Sequence, residues 1–264
     1  MTHDATDSTE PDDSRLSRRT FLAGAAAAGG ALALGGLTGV GAAGAEATTF
    51  TVRIENVSGE TDTTLDPSGD ASGVPLVLSP GAFAAHTRGE PIFTDGEPER
   101  NNGLEEIAED GDPTRLAESL STDGLVTEAG AFTTPVGASG PGPLPPGMAY
   151  EFEVAAAPPA RYLSMVTMFV QSNDLFYALG GDGGLELFDG MTPVSGDVTS
   201  HLGLWDAGTE INEEPGAGQN QAPRQSGAGV GLVERGTVAP IEDVNGYDYP
   251  AVEDVVSVTI TPSQ

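Results

Sequence analysis

Short stretches of alternating apolar and polar residues, separated by segments rich in glycine and proline, limit this chain to a fold built mainly of β-strands. Such alternation over residues 50–57, 150–154 and 255–260 predicts strands that bury one face. The 37 glycines and 20 prolines fall largely between such stretches and in the N-terminal segment. Many short strands with such connections predict an all-β fold, an antiparallel β-sandwich of about eight strands.

Other segments add strands of a different character. Residues 162–170 are almost continuously apolar, which is typical of a central strand buried on both faces. Residues 175–179 follow after a short polar break, and weaker strand patterns cover 201–205 and 230–233.

One region has helical rather than strand periodicity. Within residues 104–120, apolar side chains recur at intervals of three and four, so we expect a short helical insertion there. A break at Asp112 and Pro113 suggests an N-cap followed by the first helical residue. An α/β fold would need repeated helices between strands, and only this region has them.

Charge is the second strong constraint. The chain has 40 acidic residues against ten basic ones, all of them arginine, and a formal net charge of −30. Self-repulsion of this size destabilises a compact state in dilute buffer and is screened in concentrated salt, which predicts adaptation to high salt. A disordered acidic chain is the alternative, but 38% hydrophobic residues are enough for a core. The negative surface argues against nucleic acid as a partner.

The first 47 residues are predicted to lie outside the folded domain, which then spans residues 48–264. Arg18 and Arg19 precede the uncharged stretch 21–45 and resemble a twin-arginine export signal. Small residues at its end fit a cleavage site, and a retained membrane anchor is the alternative. We therefore expect a secreted or cell-surface protein.

The sequence offers little for covalent or zinc-dependent catalysis. There is no cysteine, so disulfides, thiolate metal sites and a cysteine nucleophile are excluded. Beyond the predicted signal only His86 and His201 remain, too few for a typical catalytic zinc site. No Gly-x-Ser-x-Gly motif is present, and we expect His86 to be a packed or loop residue.

Hard cations suit this chain better than zinc does. Asp174 follows the apolar strand, and Asp206 and Glu210 lie in a turn after another strand, where Gly208 lets the backbone fold tightly. Ca²⁺ is bound by carboxylate and carbonyl oxygens and water, so these acids are candidate ligands. Taken alone, the spacing is more typical of a solvated acidic surface than of a metal site.

Segments across the chain resemble the spondin N-terminal domain family, in particular its short prokaryotic members. They are 78–87 followed by 103–112, then the apolar strand and aromatic segment 163–176, and the Asp-Ala-Gly-Thr-Glu run within 205–212. The resemblance covers residues 48–261. It implies an antiparallel β-sandwich, similar in outline to calcium-binding membrane-targeting sandwiches, with one calcium ion at one end.

The resemblance also implies which side chains hold that ion. The matching positions are Asp174, Asp206 and Glu210, the last being aspartate in animal members. Glutamate reaches one methylene further and can bind in a bidentate manner, so the site is altered in detail. The disulfides and thrombospondin-type repeats of animal members are absent, so adhesion to matrix or integrins does not carry over.

The sequence as a whole predicts an exported, non-enzymatic β-sandwich domain with Ca²⁺ as its cofactor. We expect a monomer with a binding, adhesion or structural role at or outside the cell surface, toward an extracellular protein or glycan. A secreted hydrolase on a β-sandwich scaffold is the alternative. Asn56 begins the single Asn-x-Ser sequon and is a candidate glycosylation site.

Overall fold

The computed structural model describes residues 46–61, 63–67, 73–244 and 246–263. Within them the strands are β1 (Thr48–Asn56), β2 (Thr64–Leu65), β3 (Val74–Pro75), β4 (Leu78–His86), β5 (Val126–Phe132), β6 (Ala149–Ala156), β7 (Tyr162–Phe169), β8 (Leu175–Leu179), β9 (Leu185–Glu186), β10 (Phe188–Asp189), β11 (Thr192–Pro193), β12 (Gly196–Asp197), β13 (Leu202–Asp206), β14 (Ala239–Pro240) and β15 (Val256–Pro262). The α-helices are α1 (Leu104–Asp110), α2 (Thr114–Ser121) and α3 (Val252–Val255). The predicted all-β fold with a short helical insertion is confirmed.

Two antiparallel sheets face each other. The smaller has the strand order β12-β15-β1-β6, and the larger runs β14-β13-β8-β7-β4-β5, with β9 also paired to β7. β1 pairs along its length with both β15 and β6, which places it in the middle of the smaller sheet. The alternating sequences of these strands of the smaller sheet predicted that each would bury one face. The alternating burial along β1 and β15 confirms this prediction.

The main hydrophobic core lies between the sheets. The smaller sheet contributes Phe50, Val52 and Ile54 from β1, all fully buried. The larger sheet contributes inward-facing residues of β4, β7, β8 and β13, such as Met165 and Tyr177. Burial of this apolar area, at about 25 cal/mol per Å², is the main favourable term that holds the two layers together.

A second apolar layer covers the outer face of the larger sheet. Leu104 and Ile107 of α1 and Leu116 of α2 pack with Val166 and Phe176 of the sheet. This layer explains why β7 is buried on both faces, as its nearly continuous apolar sequence predicted. The helical insertion is therefore a cover for the central strands.

The sequence analysis did not predict strand β4, because proline and glycine interrupt its alternation of apolar and polar residues. Its register against β7 shifts between Leu78 and Gly81, where Pro80 cannot donate a ladder hydrogen bond. Ser79 repairs the gap: its Oγ accepts from the Met168 N–H at 2.9 Å, and its carbonyl accepts from the Thr167 hydroxyl at 2.7 Å. The irregular strand is thus fully hydrogen-bonded at this point.

Three sequence-based expectations need correction. Residues 230–233 form no strand; only an isolated bridge joins Val233 to Glu210. α2 begins at Thr114, one residue after the predicted start, although Asp112 Oδ1 still accepts the Thr114 N–H at 2.9 Å. Asn56 is fully buried, and its amide donates to two main-chain carbonyls, so the folded domain offers no free amide for a glycan.

The predicted export signal within residues 1–45 lies outside the described residues. In the part of the chain that the structure does describe, no helix is long and apolar enough to cross a membrane.

Candidate metal centre

The sheet itself brings Asp174 and Asp206 to the same place. Asp174 directly precedes β8, and Asp206 ends the neighbouring strand β13, where it pairs with Leu175. The Ala207 N–H donates to the Asp174 carbonyl at 3.1 Å, which joins the two chain segments at this end of the sheet. Both carboxylates are buried, with exposed fractions of 0% and 3%.

A tight turn after β13 shapes the site. The Gly208 N–H donates to Asp206 Oδ1 at 2.6 Å, and Gly208 has a φ of 68° in the left-handed region. A Cβ at this position would lie 2.7 Å from the Thr237 nitrogen, so both the conformation and the close packing require glycine. Gly208 therefore allows the tight turn, and the prediction that the backbone folds round an ion there stays a prediction.

The two oxygens of Asp174 have opposite surroundings. Oδ2 accepts the Thr209 N–H at 2.8 Å, the Thr209 hydroxyl at 3.2 Å and the Glu210 N–H at 3.0 Å. Oδ1 is buried and has no hydrogen-bond partner among the described residues. A buried carboxylate oxygen without a partner carries its full desolvation cost, so it calls for a ligand.

Asn212 is hydrogen-bonded to the second carboxylate oxygen of Asp206. Its Nδ2 donates to Asp206 Oδ2, while its own Oδ1 is buried without a hydrogen-bond partner in the described ranges. The sequence analysis did not select Asn212 as a ligand. It lies within the run that drew attention to the turn, but asparagine near a turn is typical of turn geometry as well.

Glu210 is held differently from the two aspartates. Its Oε1 accepts the Gly231 N–H at 2.6 Å, and its Oε2 accepts from Asn173 Nδ2 at 3.5 Å. Its backbone N–H, in contrast, contributes directly to the Asp174 carboxylate. The structure therefore places all three predicted ligands in one buried region, with the Glu210 carboxylate tied to a second loop.

The electrostatics of the region disfavour ionised acids. Burial raises the pKa of Asp174, and the charge of Asp206 raises it further. Burial also raises the pKa values of Asp206 and Glu210. Glu109, near the end of α1, joins this set, since burial raises its pKa to about 8 and the charges of Glu210 and Asp174 act in the same direction.

Glu109 was not recognised from the sequence. Helical spacing placed it beside the buried residues Ile107 and Ala108, but the same spacing is compatible with a solvated acid at the edge of a helix. Its exposed fraction is only 4%, which is rare for a glutamate, and among the described residues its polar partner is the Thr209 side chain. The local pattern could not show that a loop some hundred residues later covers it.

The fit to a metal ion depends on oxygen donors. No group of three or more histidine, aspartate or glutamate side chains in the described parts of the chain is arranged to hold a metal ion. The unpartnered oxygens of Asp174 and Asn212 are nevertheless hard carboxylate and amide donors, the types that Ca²⁺ prefers. The donor set thus fits a hard cation and does not fit zinc.

His86 and Ser164 form the one histidine–serine contact among the described hydrogen bonds. His86 Nε2 lies 3.0 Å from Ser164 Oγ, and His86 Nδ1 lies 2.6 Å from the Thr87 carbonyl oxygen. Both side chains are buried, at 0% and 2% exposed, on adjacent strands of the larger sheet. The pair packs in the sheet, in agreement with the prediction of a packed histidine.

Comparison with known proteins adds no relative to this description. The sequence matches none of the protein-family models and none of the curated proteins with which it was compared. Membership in the spondin N-terminal domain family therefore stays a prediction from the sequence motifs.

Proposed function

We propose that this chain is an exported, non-enzymatic β-sandwich domain that binds one Ca²⁺ at the end of the larger sheet. Asp174, Asp206 and Glu210 are the side-chain ligands in this proposal. The observation that carries it is the fully buried Oδ1 of Asp174, which has no hydrogen-bond partner among the described residues and lies on the residue before Leu175, the register partner of Asp206. A divalent cation cancels the repulsion between such acids and accepts their hard oxygens.

The ion would act as a cross-link in a chain without cysteine. Asp174 belongs to the loop between β7 and β8, Asp206 ends β13, and Glu210 belongs to the turn after β13. An ion that binds only the native state stabilises it by roughly 2.7 kcal/mol at a free concentration a hundredfold above its dissociation constant. Mg²⁺ would substitute poorly, because it demands a tight octahedral shell.

An exposed apolar surface beside the site supports a binding role. Ile211, Leu232, Val233 and Tyr247 have exposed fractions between 42% and 74%. The Ile211 N–H donates to the Leu232 carbonyl at 2.7 Å, which fixes this surface to the turn that carries the proposed ligands. On such an acidic protein, large exposed apolar side chains grouped in one place are typical of a contact surface for an extracellular protein or glycan.

Melting in molar NaCl with and without a chelator tests the calcium proposal. We expect the wild-type protein to lose stability in chelator and Asp206→Ala to lose most of its calcium response. Asp189→Ala, an exposed acid of β10, is the matched control and should respond as wild type does. A wild-type melting temperature that the chelator leaves unchanged would overturn the proposal.

The export and non-enzymatic parts of the proposal have separate tests. Changing both Arg18 and Arg19 to lysine should leave the precursor inside the cell, and unimpaired secretion would contradict twin-arginine export. A screen for esterase, protease and glycosidase activity in molar salt should be negative, and a reproducible turnover would favour the hydrolase alternative.

A further inference from the structure

The nitrogen and the oxygen of the Asn212 side-chain amide differ in their hydrogen bonding. Its Nδ2 donates to Asp206 Oδ2, whereas its Oδ1 is buried and accepts no hydrogen bond from the described residues. Turning the amide over would place its oxygen against the Asp206 carboxylate, and two acceptors repel each other. Asp206 therefore fixes the orientation of Asn212 and, with it, the direction of the free oxygen.

Two buried oxygens without a hydrogen-bond partner among the described residues belong to side chains near Asp206. Asp174 Oδ1 is the first: Asp174 directly precedes Leu175, the register partner of Asp206, and its carbonyl accepts the Ala207 N–H at 3.1 Å. Asn212 Oδ1 is the second, on a side chain bonded directly to Asp206. Buried oxygens almost always have a hydrogen-bond partner or another ligand, and a cation bound near Asp206 would satisfy both of these atoms.

We propose that the Asn212 side-chain oxygen is a further ligand of the calcium ion, an inference that rests on the proposed function. A neutral amide oxygen fills a coordination position without adding a fourth negative charge to Asp174, Asp206 and Glu210. The same side chain orients Asp206 through its amide N–H, so one residue both binds the ion and positions a carboxylate ligand.

Calcium calorimetry on the whole protein in molar NaCl tests this assignment with three variants. Asn212→Ala should raise the Ca²⁺ dissociation constant by about tenfold or more. Asn212→Asp keeps a ligand oxygen and should bind Ca²⁺ with at least wild-type affinity, but it should melt at a lower temperature in chelator because it adds a charge. Asn220→Ala is the matched control, since Asn220 also donates to an acid, Glu213, in the following loop.

A second measurement separates a ligand from a residue that only positions Asp206. Terbium luminescence lifetimes in H₂O and D₂O count the water molecules bound to the ion. Loss of a protein ligand should let in about one additional water in Asn212→Ala, with no change in Asn220→Ala. An unchanged water count, or an unchanged calcium affinity, in Asn212→Ala would overturn the assignment.

These outcomes are distinct from failure of the calcium proposal itself. If wild-type protein binds neither Ca²⁺ nor Tb³⁺, the proposed function is wrong and the role of Asn212 falls with it. If wild type binds Ca²⁺ and Asp206→Ala does not, while Asn212→Ala behaves as wild type, only the inference about Asn212 fails.

Discussion

Among single residues, Asp174 is the most unusual, because it keeps a carboxylate fully buried with every hydrogen bond on one oxygen. Two main-chain N–H groups and one hydroxyl converge on Oδ2, whereas Oδ1 has none among the described residues. The N–H donors favour the charged form, but burial and Asp206 oppose it more strongly and raise the pKa. Asp174 therefore keeps one desolvated oxygen that no donor among the described residues satisfies.

Replacing Asp174 by asparagine should separate metal binding from folding. The amide oxygen can still accept from Thr209 and Glu210, and its NH₂ can donate toward Asp206, so we expect unfolding free energy in chelator to stay equal or rise by about 1 kcal/mol. The calcium-dependent gain, roughly 2.7 kcal/mol at saturating excess, should disappear. Melting with and without Ca²⁺ measures both effects, and Asp189→Asn serves as control. A variant that keeps the full calcium gain would contradict this.

The raised pKa of Glu109 predicts how the stability of the metal-free protein depends on pH. Its folded pKa is about 8 against an ordinary value of 4.5. A carboxyl raised on folding stabilises the fold below its unfolded pKa, and this contribution is lost as pH rises through the folded value. In chelator, the melting temperature should therefore fall between about pH 5 and about pH 8.

The matched pair Glu109→Gln and Glu118→Gln isolates this effect, since Glu118 is exposed on α2. We expect the glutamine at 109 to reduce the dependence of melting temperature on pH and the one at 118 to leave it as in wild type. Identical pH profiles for the two variants would show that Glu109 ionises normally in the fold.

Among the elements, β4 and the turn after β13 depend most on tertiary contacts. β4 lies between β7 and β5 despite its proline, because Ser79 supplies the missing hydrogen bonds and Gly81 lets the neighbouring chain approach. The turn after β13 is tied to a distant loop by the Glu234 N–H bond to the Thr209 carbonyl at 2.7 Å. Both elements are therefore stable only in the assembled domain.

Gly81→Ala tests the close approach in β4. An added Cβ would lie 2.2 Å from the Val166 carbonyl oxygen and 2.3 Å from the Phe132 ring, so a shift in the sheet is unavoidable. We expect a loss of about 1–3 kcal/mol in unfolding free energy, measured by denaturant titration in molar salt. Gly124→Ala, where nothing lies within 4 Å of the new atom, should change stability by less than about 0.5 kcal/mol. Equal stability of the two variants would contradict this packing.

On the scale of the whole molecule, repulsion from the excess of negative charge has a larger effect on stability than any single ion pair. Five of the 40 acids and three of the ten arginines precede residue 46, which leaves 35 acids and seven arginines. The described residues form five ion pairs, all with partly exposed side chains, and such pairs contribute little each. Long-range repulsion between acids must therefore be screened by the solvent.

Salt should decide whether the domain is folded. At about 0.1 M salt the screening length is about 10 Å, and at about 1 M it is about 3 Å. We expect circular dichroism to show a cooperative melting transition in molar KCl or NaCl and its loss in dilute buffer, with chelator present throughout. Agreement between the two salts separates screening from specific cation binding. A melting temperature that does not change with salt would contradict this reading of the charge.

The sequence by itself determined the strands with clear patterns, the helical insertion and the all-β class. β1, β6 and β15 alternate because each buries one face, and β7 is apolar throughout because it buries two. These patterns are local consequences of burial, so they can be read without the fold. The turn with Asp206, Gly208 and Glu210 could also be found, because glycine and acids after a strand leave a local trace.

Only the tertiary structure decided what meets at the end of the larger sheet. It brought Glu109 of α1 near Asp174 and Glu210, bonded Asn212 to Asp206 and Glu210 to Gly231, and left residues 230–233 as a loop with one isolated bridge. Apart from the Asn212–Asp206 bond, these contacts join segments between about 20 and 100 residues apart, and their energies depend on which buried polar atoms face one another. No local pattern in a sequence records that pairing, so the free oxygens of Asp174 and Asn212 became visible only once the loops were placed together.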